Sequence, residues 1–424
     1  MRLIRNGTVL YKGSLQKKDI LFDENAILQI ADQIDADCEV IDASGLYVLP
    51  GLVDVHVHLR EPGFEKKETI RTGTTAAAAG GFTSIFAMPN LNPYPDNAET
   101  MKEYLALIAR ESVVHTYPYG TITCGEKGQN VSDLAGMKEL GIRWFSDDGV
   151  GVADEAVMKE AMEKAASLNV MIACHTEDMN YRKPGASVHE SPYAEKNGWK
   201  GIPSACESEQ LKRDLMIACT VPVKYHGCHI SAKESVEALR DAKKNGADAS
   251  AEVTAHHLLL EDKDVKGTNW KMNPPLRSHE DRLALIEALE DGTLDFIASD
   301  HAPHTKEDKE KPMAEAAFGI VSLETSFAML YTEFVKKTGR WTLPQLVSWM
   351  SEKPAARFGL EKTGKIEEGW QPDLILADLD NPFVISAEKF YSKGKNTPFD
   401  GETAYGRVKE TICGGRTVWK EKQE

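Results

Sequence analysis

Nine of the twelve histidines stand at or just past the end of a short apolar run: His56, His58, His175, His226, His229, His256, His257, His301 and His304. Asp148 and Asp300 occupy the same kind of position. Neutral imidazole and carboxylate together suit a borderline divalent ion such as zinc, whereas an all-oxygen set would suit calcium or magnesium. In His56-Val-His58 the two rings are two residues apart, so on a strand they face the same side and can share one ion. Adding Asp148, His175, His229 and Asp300 gives six candidate ligands, more than one catalytic zinc takes while keeping a position open. Two ions are therefore expected. A carboxylate bridging ions roughly 3.5–4 Å apart leaves room for a shared hydroxide that is nucleophilic near neutral pH. Asp148 is the candidate bridge, and its neighbour Asp147 is the alternative.

These residues come from distant parts of the chain, so the fold must bring them together. From Gly51 onward, short apolar runs alternate with helical stretches, the pattern of repeated βα units around a parallel sheet. Eight strands are expected, at 52–59, 82–88, 113–121, 142–145, 170–174, 223–229, 249–255 and 295–299. Helices are expected at 67–79, 99–111, 152–168, 204–219, 231–245, 280–290 and 323–338. This is the pattern of a (β/α)8 TIM-type barrel, in which the C-terminal strand ends converge on one face and build the active site. Residues 1–50 and 358–424 have a strand-and-turn texture instead, with runs at 3–10, 19–22, 27–30, 39–41, 373–379 and 408–413. The two ends are expected to form a small β-sandwich domain flanking a barrel at 51–357. Lys306–Lys311, six consecutive charged residues, is expected to be a solvated loop, with an active-site lid as the sharper alternative. His226, His256, His257 and His301 are expected to pack or to orient ligands, because the six ligand places are filled; His115, His189 and His279 lie away from the strand ends and are expected to be structural.

The 424 residues carry 50 Lys+Arg against 66 Asp+Glu, a net charge of −16, which repels a polyanion such as nucleic acid. No window approaches the ~18 apolar residues needed to span a bilayer, and the N-terminus lacks the apolar core of a signal peptide. A cytoplasmic protein is expected, without membrane or nucleic-acid partners. Seven cysteines with no C-x-x-C pair fit reduced thiols better than a disulfide framework.

Two segments, Asp54-Val-His56-Val-His58-Leu-Arg60-Glu-Pro62-Gly63 and Ala298-Ser-Asp300-His-Ala-Pro303-His304, strongly resemble the signature motifs of dihydroorotases, members of the amidohydrolase superfamily. Met88-Pro-Asn90, Phe145-Ser-Asp147-Asp148-Gly149, Cys228-His229-Ile-Ser231, Lys271-Met-Asn273-Pro-Pro275-Leu-Arg277 and Phe318-Gly319 match in order along the chain. The resemblance implies reversible zinc-dependent hydrolysis of (S)-dihydroorotate to N-carbamoyl-L-aspartate, the third step of de novo pyrimidine synthesis, with a metal-bridging hydroxide as nucleophile. It implies that His56, His58 and Asp300 bind one zinc, that His175 and His229 bind the second, that Asp148 bridges, and that Asp300 is also the general base and acid. Arg60, two residues after His58, is expected to point the same way and to offer a planar fork to the exocyclic carboxylate of this small-molecule substrate. By resemblance Asn90 and His304 are its partners, while Asn273, Phe318 and Gly319 hold the amide edges of the ring. A homodimer is expected as the common state of such enzymes, and family analogy admits contact with aspartate carbamoyltransferase.

Many relatives in the superfamily bridge their metals with a carboxylated lysine after the glycine of the fourth strand. Gly141-Ile142-Arg143 places arginine there, and a guanidinium cannot become a carbamate. Smaller departures are Leu91, Ala255 and Ser299, none of which removes a ligand. The nearest rival is a hydantoinase, dihydropyrimidinase or allantoinase, which should carry lysine at 143 and lack the pair Arg60 and Asn90. An inactive homologue partnering aspartate carbamoyltransferase is the rival from another class, and it should have lost ligands.

Overall fold

A computed structural model describes residues 1–422. Its centre is a succession of eight parallel strands, here β1 (Leu52–Val57), β2 (Phe82–Ala87), β3 (His115–Pro118), β4 (Trp144–Phe145), β5 (Met171–Cys174), β6 (Lys224–Gly227), β7 (Ala249–Thr254) and β8 (Phe296–Ala298). Ladders join β1 to β2 and β2 to β3. A second set of ladders runs from β4 to β8 in chain order. Two isolated parallel bridges span the gaps, Gly120 with Phe145 and Val57 with His301.

β1, β2 and β7 are buried along their whole length, as strands covered on both faces are, whereas β3 is only partly buried. Val53, Val55, Phe86, Trp144, Met171, Ala173, Phe296 and Ala298 share one buried cluster with Phe358. Leu52, Val57, Ile85 and Ile172 belong instead to the larger cluster formed with the helices. Between Asp54 and Val57 the register of β1 against β2 slips, an irregularity of the kind that re-aims side chains near functional sites.

The observed strands are shorter than expected because several expected ends turn into the loops that carry the site. The helices begin where a side chain can satisfy free backbone N–H groups. Thr69 accepts from Thr72 N, so that helix spans Ile70–Ala79 and not 67–79. Asn97 and Asp154 cap Ala98–Glu111 and Glu155–Leu168 in the same way. The helix expected at 323–338 instead divides into α-helical Ser326–Leu330 and π-helical Tyr331–Lys337. Thr332 Oγ1 donates to Ala328 O within it and accepts from Tyr405 N. The loop after β5 also contains a small parallel pair, Ala186–His189 with Lys200–Ile202, which has too few residues to leave a periodic signal.

The run Leu3–Leu10 is not one strand. Asn6 takes a left-handed φ of 65°, and the halves Arg2–Arg5 and Thr8–Tyr11 enter different sheets. The first joins Asp19–Phe22, Ile27–Ala31 and Glu39–Asp42; the second lies in a six-stranded sheet where Tyr47–Pro50 pairs antiparallel with Leu374–Asp378. The two chain ends therefore meet, and Ile4, Phe22, Val48, Leu374 and Ile412 share one buried cluster.

The Lys306–Lys311 run is exposed at Lys306, Glu307, Glu310 and Lys311 as expected, but it is not simply a loop. Lys306–Lys309 forms a helical turn capped by Thr305, and Lys309 is buried with Nζ donating to the carbonyls of Lys271, Ala317 and Gly319 at 2.9–3.1 Å. All seven cysteines are free thiols. Among the described residues no helix is long and apolar enough to cross a membrane.

Asp281 links two helices. It closes a capping box with Ser278 at the start of His279–Asp291, and its Oδ1 accepts from Lys233 N at the start of Lys233–Lys244, 3.0 Å away. A lost cap costs about 1 kcal/mol. Asp281→Ala should therefore lower unfolding stability by about 2 kcal/mol, and Ser278→Ala by about half of that. Equal losses in urea unfolding would show that the second helix does not depend on Asp281.

Candidate active site

The loops leaving β1, β4, β5, β6 and β8 bring His56, His58, Asp148, His175, His229 and Asp300 together, all buried. His56 Nε2 lies 3.2 Å from Asp148 Oδ1 and 3.4 Å from Asp300 Oδ1. His58 Nε2 lies 3.4 Å from Asp148 Oδ2 and 3.2 Å from Asp300 Oδ1. His229 Nε2 and His175 Nδ1 approach Asp148 Oδ1 at 3.6 and 4.0 Å. Asp148 is thus the common neighbour of four imidazoles. Asp147 points elsewhere: its carboxylate accepts from the backbone N–H groups of Ile122 and Thr123 and from the Thr123 hydroxyl.

Backbone strain aims several of these groups. Arg60, His229 and Asp300 have φ of 61°, 34° and 46°, a region that L-residues enter only where the surroundings hold them. Arg60 does line the cleft, but a left-handed turn puts it there; β1 has already ended at Val57, so strand alternation does not. Arg143 needs a correction. It is exposed at the start of β4, away from the cluster, and lines a separate cleft with Tyr117 and Trp144. A side chain at 143 could not bridge ions here; the position facing the cluster is that of Asp148.

The donor set fits a divalent cation. His56 Nε2 and Asp148 Oδ1 are buried without a hydrogen-bond partner. His175 Nδ1 and His229 Nε2 face each other at 2.9 Å, two nitrogens that can share one proton or both turn lone pairs to a cation. Without a cation, charge balance falls on the imidazoles. Burial opposes charging His56, yet Asp148, Glu252 and Asp300 raise its pKa well above the ordinary value. Burial also works against the charged forms of Asp148 and Asp300, but the surrounding histidines hold both carboxyls well below the usual carboxylate range.

Three supporting acids escaped the pattern of histidines. Glu252, fully buried on β7, accepts from His56 Nδ1 at 2.6 Å and His226 Nε2 at 3.0 Å. Burial would raise its carboxyl, but the two imidazoles bring it down to about 2. Asp54 accepts from His56 N and Ser299 N, both at 3.1 Å, tying β1 to the Asp300 turn. Glu177 touches His175 Nε2 and accepts from Asn273 Nδ2 at 2.9 Å. An acidic residue inside an apolar strand run was the available signal for Glu252 and Asp54.

The cluster floors a cleft of about 570 Å³ lined by Arg60, Asn90, Asn273, His304, Phe318 and Gly319, with Glu177 and Arg182 at one side. Asn90 Oδ1 accepts from His58 Nδ1 at 3.0 Å, which leaves its amide N–H groups available to the cleft. His304 Nε2 donates to Phe318 O at 2.7 Å and its Nδ1 accepts from Lys67 Nζ at 3.3 Å. Burial, then Arg60 and Lys67, lower the His304 pKa to about 2, so the ring is neutral. Gly319 (φ 128°) leaves no room for a Cβ, which would fall 2.6 Å from Ala302 Cβ. His226, His257 and His301 bond to groups outside the cluster centre, and His256 has no hydrogen-bond partner.

The whole chain superposes on solved cyclic-amide hydrolases: L-hydantoinase (dihydropyrimidinase) from Arthrobacter aurescens, with a TM-score of 0.89, 26% identity and 96% of that chain covered, and dihydropyrimidinase from Brevibacillus agri, with a TM-score of 0.85, 25% identity and 95% covered. Fold and site thus define a cyclic-amide hydrolase of the amidohydrolase type. Residues 45–235 match the family model described as dihydro-orotase-like. Over 99% of its length the chain is 52% identical to a dihydroorotase from Bacillus licheniformis, of which 98% is covered, and 50% identical to one from Listeria innocua, of which 99% is covered. The chain belongs to the dihydroorotase family.

Glu252 orients His56 from the side opposite the cluster, and such carboxylate partners typically change metal affinity 10–100-fold when removed. Glu252→Gln is therefore expected to weaken divalent-ion retention by about 10–100-fold in chelator competition while the fold persists by circular dichroism. Unchanged retention would make Glu252 a packing residue only.

Proposed function

We propose that this chain opens and closes the ring of (S)-dihydroorotate, interconverting it with N-carbamoyl-L-aspartate in the third step of de novo pyrimidine synthesis. The observation that carries the reading is Arg60, a cation in a cleft that His58, His175, His229, Asp148 and Asp300 also line. A cyclic amide bearing a carboxylate matches both features at once.

In this assignment His56, His58 and Asp300 would hold one divalent ion and His175 and His229 a second, with Asp148 as their shared ligand; zinc would suit the mixed nitrogen and oxygen donors. Bound ions would polarise the ring carbonyl and bring the pKa of water toward neutrality. The chain's own proton carrier is Asp300, whose carboxylate shares the space of His56 and His58 Nε2. It takes the proton of the attacking water as the carbon–oxygen bond forms. It then returns that proton to the ring nitrogen as the carbon–nitrogen bond breaks, and cyclisation runs the same transfers backwards. Arg60 grips the exocyclic carboxylate with two parallel N–H groups, assisted by the free amide of Asn90. His304 reaches the substrate by exchanging its bond to Phe318 O, and until then it positions the Phe318-Gly319 backbone that, with Asn273, faces the ring amides.

We also infer that the eight strands close a (β/α)8 barrel over residues 51–357, and that residues 1–50 and 358–424 make a β-sandwich beside it. The two isolated bridges between the ladder sets and the apolar cluster shared by the end sheets support this. Family analogy supports a homodimer and contact with aspartate carbamoyltransferase.

The test is kcat/KM of the zinc-loaded enzyme for dihydroorotate beside dihydrouracil and allantoin, which lack the exocyclic carboxylate. A preference for dihydroorotate by orders of magnitude is expected; preference for either other ring would move the chain to the hydantoinase side of its fold. Arg60→Met should lower kcat/KM for dihydroorotate by about 10–100-fold, the worth of a charge-assisted hydrogen-bonded pair, with metal content unchanged. Wild-type kinetics would remove Arg60 from recognition. Asp300→Ala should cost at least about 10²–10⁴-fold in both directions. A variant that turns over normally with its metal in place would assign proton transfer to another group.

A further inference from the structure

The end of the eight-strand set opposite the cleft carries a second cluster of donors. His115 opens β3, Asp373 stands directly before Leu374–Asp378 of the six-stranded sheet, and Cys413 ends the neighbouring strand Arg407–Cys413. Asp373 O accepts from Gly51 N just before β1, whereas His56 and His58 lie at the far end of that strand. One ligand atom from each of His115, Asp373 and Cys413 lies within 4.8 Å of the other two. His115 Nε2 is 3.4 Å from Asp373 Oδ1.

Two features separate this cluster from an ordinary buried ion pair. Gly414 N donates to Asp373 Oδ1 at 2.7 Å, which fixes the carboxylate and leaves Oδ2 buried without a hydrogen-bond partner. His115 Nε2 is likewise buried with no aligned hydrogen bond. An orphaned carboxylate oxygen is costly unless a cation answers it.

We propose that His115, Asp373 and Cys413 bind a divalent ion of the zinc class that staples the eight-strand set to the six-stranded sheet. Nitrogen, oxygen and sulfur from three chain segments make a donor set for a borderline ion, and three protein ligands leave a fourth position for water. Binding displaces the Cys413 thiol proton, which faces Thr83 O at 3.5 Å, together with any proton on His115, so occupancy rises with pH. The His115 side chain is 35% exposed while that of Asp373 is 3% exposed, so the histidine is the side from which an ion enters. The site stands independently of the chemistry assigned to the cleft.

The test is metal content per chain and the absorption of the cobalt-substituted enzyme, prepared under reducing conditions. Wild type should bind one more ion per chain than Cys413→Ser or His115→Gln, and should show a sulfur-to-cobalt charge-transfer band that Cys413→Ser abolishes. Turnover per ion in the cleft should be the same in all three. The other buried sulfur near donors is Cys228, beside His56 and Glu252, so a band that survives Cys413→Ser would come from there and overturn the proposal. Equal metal content in wild type and both variants would overturn it as well. Because His115→Gln keeps the buried thiol, it decides the matter if Cys413→Ser does not fold.

Discussion

The structure around the cleft depends on keeping the Asp148 carboxylate buried among imidazole nitrogens. A buried carboxylate is expensive unless it is paired, and Asp148 has four histidine rings within 4.0 Å. No single element can supply such a shell. His56 and His58 come from β1, His175 from the end of β5 and His229 from the end of β6, so the shell exists only if these strand ends converge. The strained backbone of His229 and Asp300 follows from the same demand, since each must turn a side chain inward just past its strand.

The cost of that convergence is met one layer out. Glu252 holds His56 from behind and ties it to His226; Asp54 joins the backbone of His56 to that of Ser299; Glu177 connects His175 to Asn273 on a distant loop. The substrate side is built in the same way. Lys309, through three backbone carbonyls, anchors the segment that carries Gly319, and Gly319 leaves the space that His304 needs. Mutations in this outer layer should act through the geometry of the cluster even where they touch no substrate.

Much of this was legible in the residues because strand-end chemistry and apolar periodicity are local signals. The order of the eight strands, the gathering of the six candidate ligands and the meeting of the chain ends could all be read from them. What was lost depends on three-dimensional context. Lys309 reads as part of a solvated charge run until its three carbonyl partners are seen. The run at residues 3–10 alternates like one strand, but Asn6 turns it between two sheets. Arg143 counts as a bridge position only if the strand is taken to end there; it begins there, and the residue facing the cluster is five positions on. The approach of His115 to Asp373 and Cys413 could not be read because they lie some 260 and 300 residues away.

The fold and the specificity of this enzyme are separable. Solved hydantoinase and dihydropyrimidinase structures at about 25% identity share the fold over the full chain, so the fold alone does not select dihydroorotate over other cyclic amides. Selection must come from groups that meet what is unique to the substrate, its exocyclic carboxylate. In a chain of net charge −16, an anionic ligand is repelled on average, and a fixed guanidinium in the cleft reverses that locally. Burial lowers the Arg60 pKa from its ordinary value, while the nearby carboxylates of Asp300 and Asp148 work to sustain its charge. The carboxylates that assemble the cluster therefore also support the cation proposed to read the substrate, so losing either would weaken binding and chemistry together.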